Sequence, residues 1–313
     1  MNHFLSAFNA DLVASTVRIS IPILLAALGG LVVLRAGLYN IALEGQMLVG
    51  AFASVAVAYE TGSSWLGVLA GTAAGGVTSL VFALAVLQYG ANDIVASIAV
   101  NLLALGTTGY LVRTLYGSAT LQPVGLHAIP TITIPGLRHV PILGPALSGQ
   151  SATVYIAFGF VVLTHLLLRR SNFGLAVRVV GENPQAAETA GISPGRIKLL
   201  ANTYCGLLCG LAGSHLALGY ASQFTDGMTQ GRGYTAFSAA IFGQLSPVPT
   251  LGASLFFGFA EALGNSLQVA GVGVNPHLLQ LVPYALAVIA LSASTFTVTR
   301  RRGKAKLREV NQS

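Results

Sequence analysis

Long apolar runs follow one another along this chain, with only short polar interruptions between them. Runs of roughly 20 mostly apolar residues, the length that crosses a bilayer as a helix, cover Leu12–Leu34, Ala42–Tyr59, Trp65–Leu87 and Ile94–Tyr116. Others cover Ser151–Leu168, Leu199–Gly219, Thr250–Ala270 and His277–Val298. One further stretch, Tyr234–Leu245, is too short to cross comfortably and is bounded by Gly231, Gly233, Gly243, Pro247 and Pro249. A half-helix, a re-entrant segment and a short crossing all fit it. The pattern predicts an all-α polytopic membrane protein of eight to ten transmembrane helices, nine preferred, some of them short or broken. Residues 1–313 form a single transmembrane domain in this reading.

Composition agrees with the pattern. Hydrophobic residues make up 54% of the 313 positions and charged residues only 8%, against about 25% in a typical soluble domain. The 37 glycines are scattered through the apolar runs, where they let helix backbones approach closely in a solvent that supplies no hydrophobic drive between helices. The first apolar run follows Met1-Asn2-His3 without a basic flank, so it reads as a retained helix and not a cleaved signal. Cys205 and Cys209 lie one helical turn apart in an apolar run and read as small buried residues, not as a metal pair or disulfide. No metal and no cofactor are expected.

The net charge of +7 sits in two places: eleven of the 16 basic residues lie in Arg169–Lys198 and Arg300–Arg308. Basic clusters beside apolar spans hold loops on the cytoplasmic side, which argues for the plasma membrane as partner and against nucleic acid. With both stretches inside, including a basic tail at 300–313, an even number of crossings must separate them. Tyr234–Leu245 then crosses as well, the N-terminus lies outside and the total is nine.

Within the apolar body, residues 172–198 form a long polar and strongly basic segment. Asn183 is placed to cap a helix, Pro184 suits its first position and Gly191 is placed to end it. The segment is expected to carry one compact helix of about two turns through Gln185–Ala190. An ordinary linker with a surface helix is the plainer alternative.

Polar residues inside the spans are the next candidates, because a carboxylate at mid-membrane costs at least about 2.5–3.5 kcal/mol and therefore faces a cavity or a partner. Asn40 and Glu44 stand at i and i+4, which places both on one helix face; Glu261 and Asn265 share the same spacing. Gln46, Asn101, Tyr234 and Phe237 complete the candidate substrate pathway. Aromatic residues of the two glycine-flanked segments (Tyr39, Phe52, Tyr234, Phe237, Phe242) would suit a flat ring, although packing accounts for any one of them at least as well. His165 and His215 read as structural. Gly45-Gln46-Met47-Leu48 and Gly243-Gln244-Leu245 echo one another in opposite halves, and interrupted segments in corresponding positions point to a transport site.

The stretch Gly174–Ala187, Gly-Leu-Ala-Val-Arg-Val-Val-Gly-Glu-Asn-Pro-Gln-Ala-Ala, resembles the cytoplasmic loop of ABC importer permeases of the branched-chain amino acid, simple sugar and nucleoside group. Asn40-Ile41-Ala42-Leu43-Glu44-Gly45 is most similar to the nucleoside or simple-sugar branch, and Gly231–Gly252 resembles a later family segment. The resemblance runs from about Leu31 to Ser292. It implies a permease paired with a second copy or a paralogue, two ATP-binding subunits and an extracytoplasmic binding protein. It also implies that Gly181, Glu182, Asn183, Pro184, Ala186, Ala187 and Gly191 belong to the element docked on the ATPase. A nucleoside is the implied cargo, with a simple sugar or a branched-chain amino acid as alternatives. No phosphate-binding Gly-x-x-x-x-Gly-Lys-Ser/Thr loop occurs, so no ATPase site is expected in this chain. The same inspection finds no His-Glu-x-x-His and no Gly-x-Ser-x-Gly, which leaves a membrane hydrolase without nucleophile or metal. The rival from another class is an ion-coupled secondary transporter using Glu44 or Glu261, which would have no use for a docking helix.

Overall fold

The computed structural model describes residues 10–122, 129–133 and 148–269. The expected span His277–Val298 and the basic tail 300–313 lie outside the described residues. Among these the chain is almost entirely helical: α1 Ala10–Arg35, α2 Leu43–Thr61, α3 Ser64–Ala83, α4 Asp93–Tyr116, α5 Ala152–Arg170, α6 Asn172–Glu182, α7 Pro184–Thr189, α8 Pro194–Ser214, α9 Arg232–Phe242 and α10 Pro247–Val269. Short π-helical turns, Leu84–Gln88 and His215–Ala221, extend α3 and α8. Two-residue strands pair Thr120–Leu121 with Phe224–Thr225, and Thr131–Ile132 with Gln150–Ser151. The long apolar runs within the described residues all fall on helices, as the pattern predicts. Asp11–Arg35, Ser64–Gln88, Asp93–Tyr116 and Ala152–Arg170 are long and apolar enough to cross a membrane by length and composition alone.

α1 is the axis of the fold. From Ile19 to Val33 it is buried on every side, and a helix that is hydrophobic all round belongs in a core. Ile21, Ile23, Leu24, Leu25, Leu28 and Leu31 are fully buried, enclosed by α8, α9, α10 and α5. α2, α3 and α8 form the second layer and meet through small residues. A β-carbon on Gly210 would lie 2.3 Å from the Gly71 carbonyl oxygen, and one on Gly75 would lie 2.4 Å from that of Gly206. Here the glycines let backbone touch backbone, which is how helices associate where lipid is as apolar as leucine.

The short stretch Tyr234–Leu245 lies on a half-helix, so it does not by itself form the full crossing on which the count of nine and the outside N-terminus rest. α9 has 11 residues, about 16 Å of rise against about 30 Å of hydrocarbon. Left-handed backbone at Gln244 and Leu245 (φ 51° and 53°) ends it, and Pro247 opens α10.

The polar segment 172–198 contains two helices, where one was expected. α6 begins at Ser171, whose hydroxyl accepts from the Gly174 amide, and it buries Ala176, Val177 and Val180. α7 follows with the expected caps: the Asn183 side chain accepts from the Ala186 amide at 3.0 Å, and Gly191 takes φ +79°. Gly181 therefore belongs to α6, not to the capped helix.

Replacing Gly210 by alanine should force α3 and α8 apart, since the clash is with backbone and cannot be relieved by a rotamer. Overpacking of this kind costs about 1–3 kcal/mol, to be read as a lower thermal midpoint of the detergent-purified protein. An unchanged midpoint would contradict the packing described.

Candidate functional site

Two irregular segments enter the helical body from opposite ends of α4. The first is the lead-in to α2. Its backbone climbs one face of α4: the Tyr39 amide donates to Asp93 Oδ2 (3.0 Å), the Ile41 amide to Ser97 Oγ (3.0 Å) and the Gly45 amide to Asn101 Oδ1 (2.8 Å). Asp93, Ser97 and Asn101 are spaced i, i+4, i+8, so they stack on one stripe over about 12 Å. The second is the segment before α9, which descends α4 from its other end. Asp226 pairs with Arg113 (2.9 Å), Gly227 lies beside Leu105, and Tyr234 Oη accepts from Asn101 Nδ2 (3.1 Å). That descent from Arg113 to Asn101 is about 18 Å. Backbone outside regular structure is tolerated at such depth only where protein buries it or where it lines a cavity. Here the stripe of side chains on α4 satisfies the first segment.

The two segments end where their helices begin, and the helices begin side by side. A β-carbon on Gly233 would lie 2.4 Å from the Glu44 nitrogen, so the first turn of α9 rests against the first turn of α2. Each helix N-terminus carries unpaired amides and a partial positive charge. One carboxylate serves both: Glu44 lies in the first turn of α2, and its Oε1 and Oε2 accept from the Gly231 and Gly233 amides of α9, each at 2.7 Å. Left-handed φ values at Gln230 (47°) and Gly231 (83°) turn the chain into that position. Between the two amides, Arg232 reaches the other way and pairs with Glu261 on α10. The start of α9 is thus fixed to α2 and to α10 by two carboxylates.

The remaining candidates divide. Asn101 joins the site, bonding Gly45, the Ile41 carbonyl and Tyr234. Tyr234 lies there with its ring 48% exposed. Asn40 does not share a helix face with Glu44, because it precedes α2. Its Oδ1 accepts from the Ala42 amide while its Nδ2 donates to Asn202 Oδ1 (2.7 Å) on α8. The i, i+4 reasoning failed there because α2 starts at Leu43, after Asn40. Gln46 is fully buried towards α8, near Cys205. Phe237 packs into the core, and Asn265 is exposed one turn beyond Glu261 and joins none of these contacts. Phe52 packs edge-on against Phe224, and Phe242 against Phe257, so the plainer reading of those rings holds. His215 bonds Thr153 Oγ1 at 2.6 Å inside the core, a structural role. The echo of Gly45-Gln46 with Gly243-Gln244 sets the start of α2 against the end of α9. The turns that meet are Leu43–Gly45 and Gly231–Gly233, whereas Gly243 ends α9.

Sequence reasoning missed Asp93, Ser97, Asn202 and the Arg232–Glu261 pair. The stripe on α4 has a signal, the recurrence of small polar residues every fourth position in an otherwise apolar helix.

The basic end of the molecule touches this arrangement. A β-carbon on Gly181 of α6 would strike the Arg35 carbonyl oxygen, and one on Gly37, in the turn after α1, would lie 3.4 Å from Gly181 Cα. Arg169 and Arg178 lie close enough to Arg35 for their charges to oppose its own. Ala187, expected on a docking face, is instead buried with 0% exposure. The other five residues of α7, Pro184, Gln185, Ala186, Glu188 and Thr189, are exposed.

Interrupted segments whose helix N-termini converge inside an apolar helical body are the build of a membrane transport protein. A family model described as the permease component of the branched-chain amino acid transport system matches residues 12–291, and the chain belongs to that family. It is accordingly a multi-pass permease of the plasma membrane. The guanosine ABC transporter permease protein NupQ of Bacillus subtilis is 37% identical over 90% of this chain and 91% of its own length. The putative glucose ABC transporter permease protein TsgC13 of Haloferax volcanii is 33% identical over 91% and 92%. The nucleoside ABC transporter permease protein NupC of Lactococcus lactis is 29% identical over 90% and 91%. No solved structure matches the chain.

Removing the Glu44 carboxylate leaves two amides of α9 without an acceptor. Each unsatisfied buried donor costs about 1–3 kcal/mol, so Glu44→Ala should lower stability by roughly 2–6 kcal/mol and Glu44→Gln, which keeps one acceptor oxygen, by about half as much. Thermal unfolding of the purified protein measures this. Equal midpoints for Glu44→Ala and the unaltered chain would show that the contact contributes nothing.

Proposed function

We propose that this chain is the translocation subunit of an ABC importer for nucleosides. It acts beside a second permease, two ATP-binding subunits and an extracytoplasmic binding protein. The observation that carries the cargo is the run of nucleoside-named permeases among its relatives, headed by the guanosine permease at 37% identity. Glucose permeases of Haloferax volcanii, at 33% and 29%, make a simple sugar the second reading. Bacillus subtilis and Lactococcus lactis each hold two related permeases, one nearer to this chain (37% and 29%) and one further away (25% and 24%). That pattern favours pairing with a paralogue over pairing with itself.

Coupling is assigned to residues 172–198. The cluster of Arg35, Arg169 and Arg178 marks this end as cytoplasmic by the positive-inside rule. The segment offers a rigid, capped α7 with Gln185, Ala186 and Glu188 outward, and Gly181 rests on the turn that leads into α2. A docked ATPase pushing on α7 would move α6 against Arg35 and Gly37, and so reach the lead-in that runs up α4 to Glu44. The chain's own part is to form the path and transmit motion, with ATP hydrolysis left to its partners.

The test is uptake by the complete complex in proteoliposomes. Labelled guanosine should accumulate in an ATP-dependent manner, and excess nucleoside should compete while glucose and leucine do not. Competition by glucose alone would replace the cargo assignment. Ala186→Trp, a bulky group on the exposed side of α7, should reduce co-purification of the ATP-binding subunits at least tenfold while permease yield is kept. Undiminished co-purification would remove α7 from the docking surface.

A further inference from the structure

Arg113 and Asp226 belong to none of the contacts that fix α9. They line an open cavity on the face of α4, closed on one side by Asp226. The cavity there is about 460 Å³, lined by Leu105, Gly106, Gly109, Tyr110, Arg113 and Asp226 among others. Small-molecule sites span about 300–1,000 Å³, so the space suits a two-ring solute. We propose that this groove holds the nucleoside during passage, with Arg113 and Asp226 bonding its polar edge and Tyr110 covering a ring face. The inference rests on the cargo assigned above and adds the place and the residues.

The groove is shaped for a flat, uncharged, polar molecule. Its floor on α4 is bare at Gly106, where a β-carbon would meet nothing within 4 Å. At Gly109 a β-carbon would lie 3.0 Å from both carboxylate oxygens of Asp226, so the glycine lets that carboxylate approach the helix closely. Arg113 Nη2 donates to Asp226 Oδ2 at 2.9 Å, and the two side chains stay 65% and 25% exposed. An exposed pair of this kind adds little to stability. It nevertheless keeps further guanidinium donors and a carboxylate acceptor turned to the cavity. Together they are neutral and offer donors beside an acceptor. A nucleobase amide edge presents the complement, a carbonyl beside N–H groups, and a ribose diol bonds the carboxylate as well. A cation or an anion would meet one like charge. Tyr110 is 67% exposed at the groove, and aromatic faces accept any base by stacking. Further down the same helix, Asn101 bonds the half-exposed Tyr234.

Gly106→Leu and Tyr110→Ala test the groove without disturbing packing, since one fills open space and the other removes an exposed ring. Asp226→Asn tests the polar edge. Labelled guanosine uptake by the reconstituted complex, at limiting substrate, should fall at least tenfold in Gly106→Leu and Asp226→Asn and severalfold in Tyr110→Ala. Thermal midpoint and co-purification of the ATP-binding subunits should stay as in the unaltered complex. Uptake within twofold of the unaltered complex in both Gly106→Leu and Tyr110→Ala overturns the groove and leaves the cargo assignment standing. If the unaltered complex takes up no nucleoside, the cargo assignment fails and the groove assignment fails with it.

Discussion

A carboxylate inside an apolar protein must find donors, and two helix N-termini placed side by side must find a negative charge. Glu44 meets both demands with one side chain. It belongs to the first turn of α2 and accepts from two amides at the start of α9, 2.7 Å each. Two irregular segments of the described fold lead to that point. The lead-in to α2 rises along Asp93, Ser97 and Asn101 from one end of α4, and the lead-in to α9 descends past Arg113 and Leu105 from the other. Without the shared carboxylate the two positive helix ends would repel and the short α9 would have only its apolar face to hold it. The second carboxylate, Glu261, secures Arg232 and so ties the same turn to α10. An ion-coupled carrier would need one of these carboxylates open to a proton or sodium; both are engaged within the protein.

The same geometry explains how a force applied at the basic end would reach the interior. Gly181 touches the Arg35 carbonyl and Gly37, the next residues climb α4 by three hydrogen bonds, and the climb ends at Glu44. Rigid α1, enclosed on nearly all sides, gives the moving parts something to move against. Each link is a contact of backbone with backbone or of backbone with a short side chain, so slack is small. Under the proposed coupling role, this chain of contacts is the route the motion would take.

How much of this was legible in the sequence follows from what periodicity can say. That the apolar runs between Leu12 and Val269 form helices was readable because apolar length decides it. The α7 caps were readable because Asn183, Pro184 and Gly191 act locally, and the hydrogen bond from the Ala186 amide to Asn183 is the expected one. What a residue faces across the fold was not readable. Asn40 and Glu44 stand four apart, yet one points to Asn202 and the other to Gly231, because the helix starts between them. Ala187 looked like part of a docking face and is buried against its own protein, since a six-residue helix must bury one side somewhere. Glu44 was marked as a costly charge, but its partners are backbone amides, which leave no trace in side-chain identity beyond the glycines at 231 and 233.

The central claim is that the Glu44 carboxylate holds the start of α9, and hydrogen exchange at the amides of Gly231 and Gly233 reports on it directly. Mass spectrometry of peptides covering 226–236, with the protein in lipid nanodiscs, resolves these amides from those of α4. Slow exchange is expected in the unaltered chain, with acceleration of at least tenfold at these two positions in Glu44→Ala and little change over Asp93–Tyr116. Exchange as fast as in an open loop in the unaltered chain, or unaltered protection after the substitution, would contradict the account.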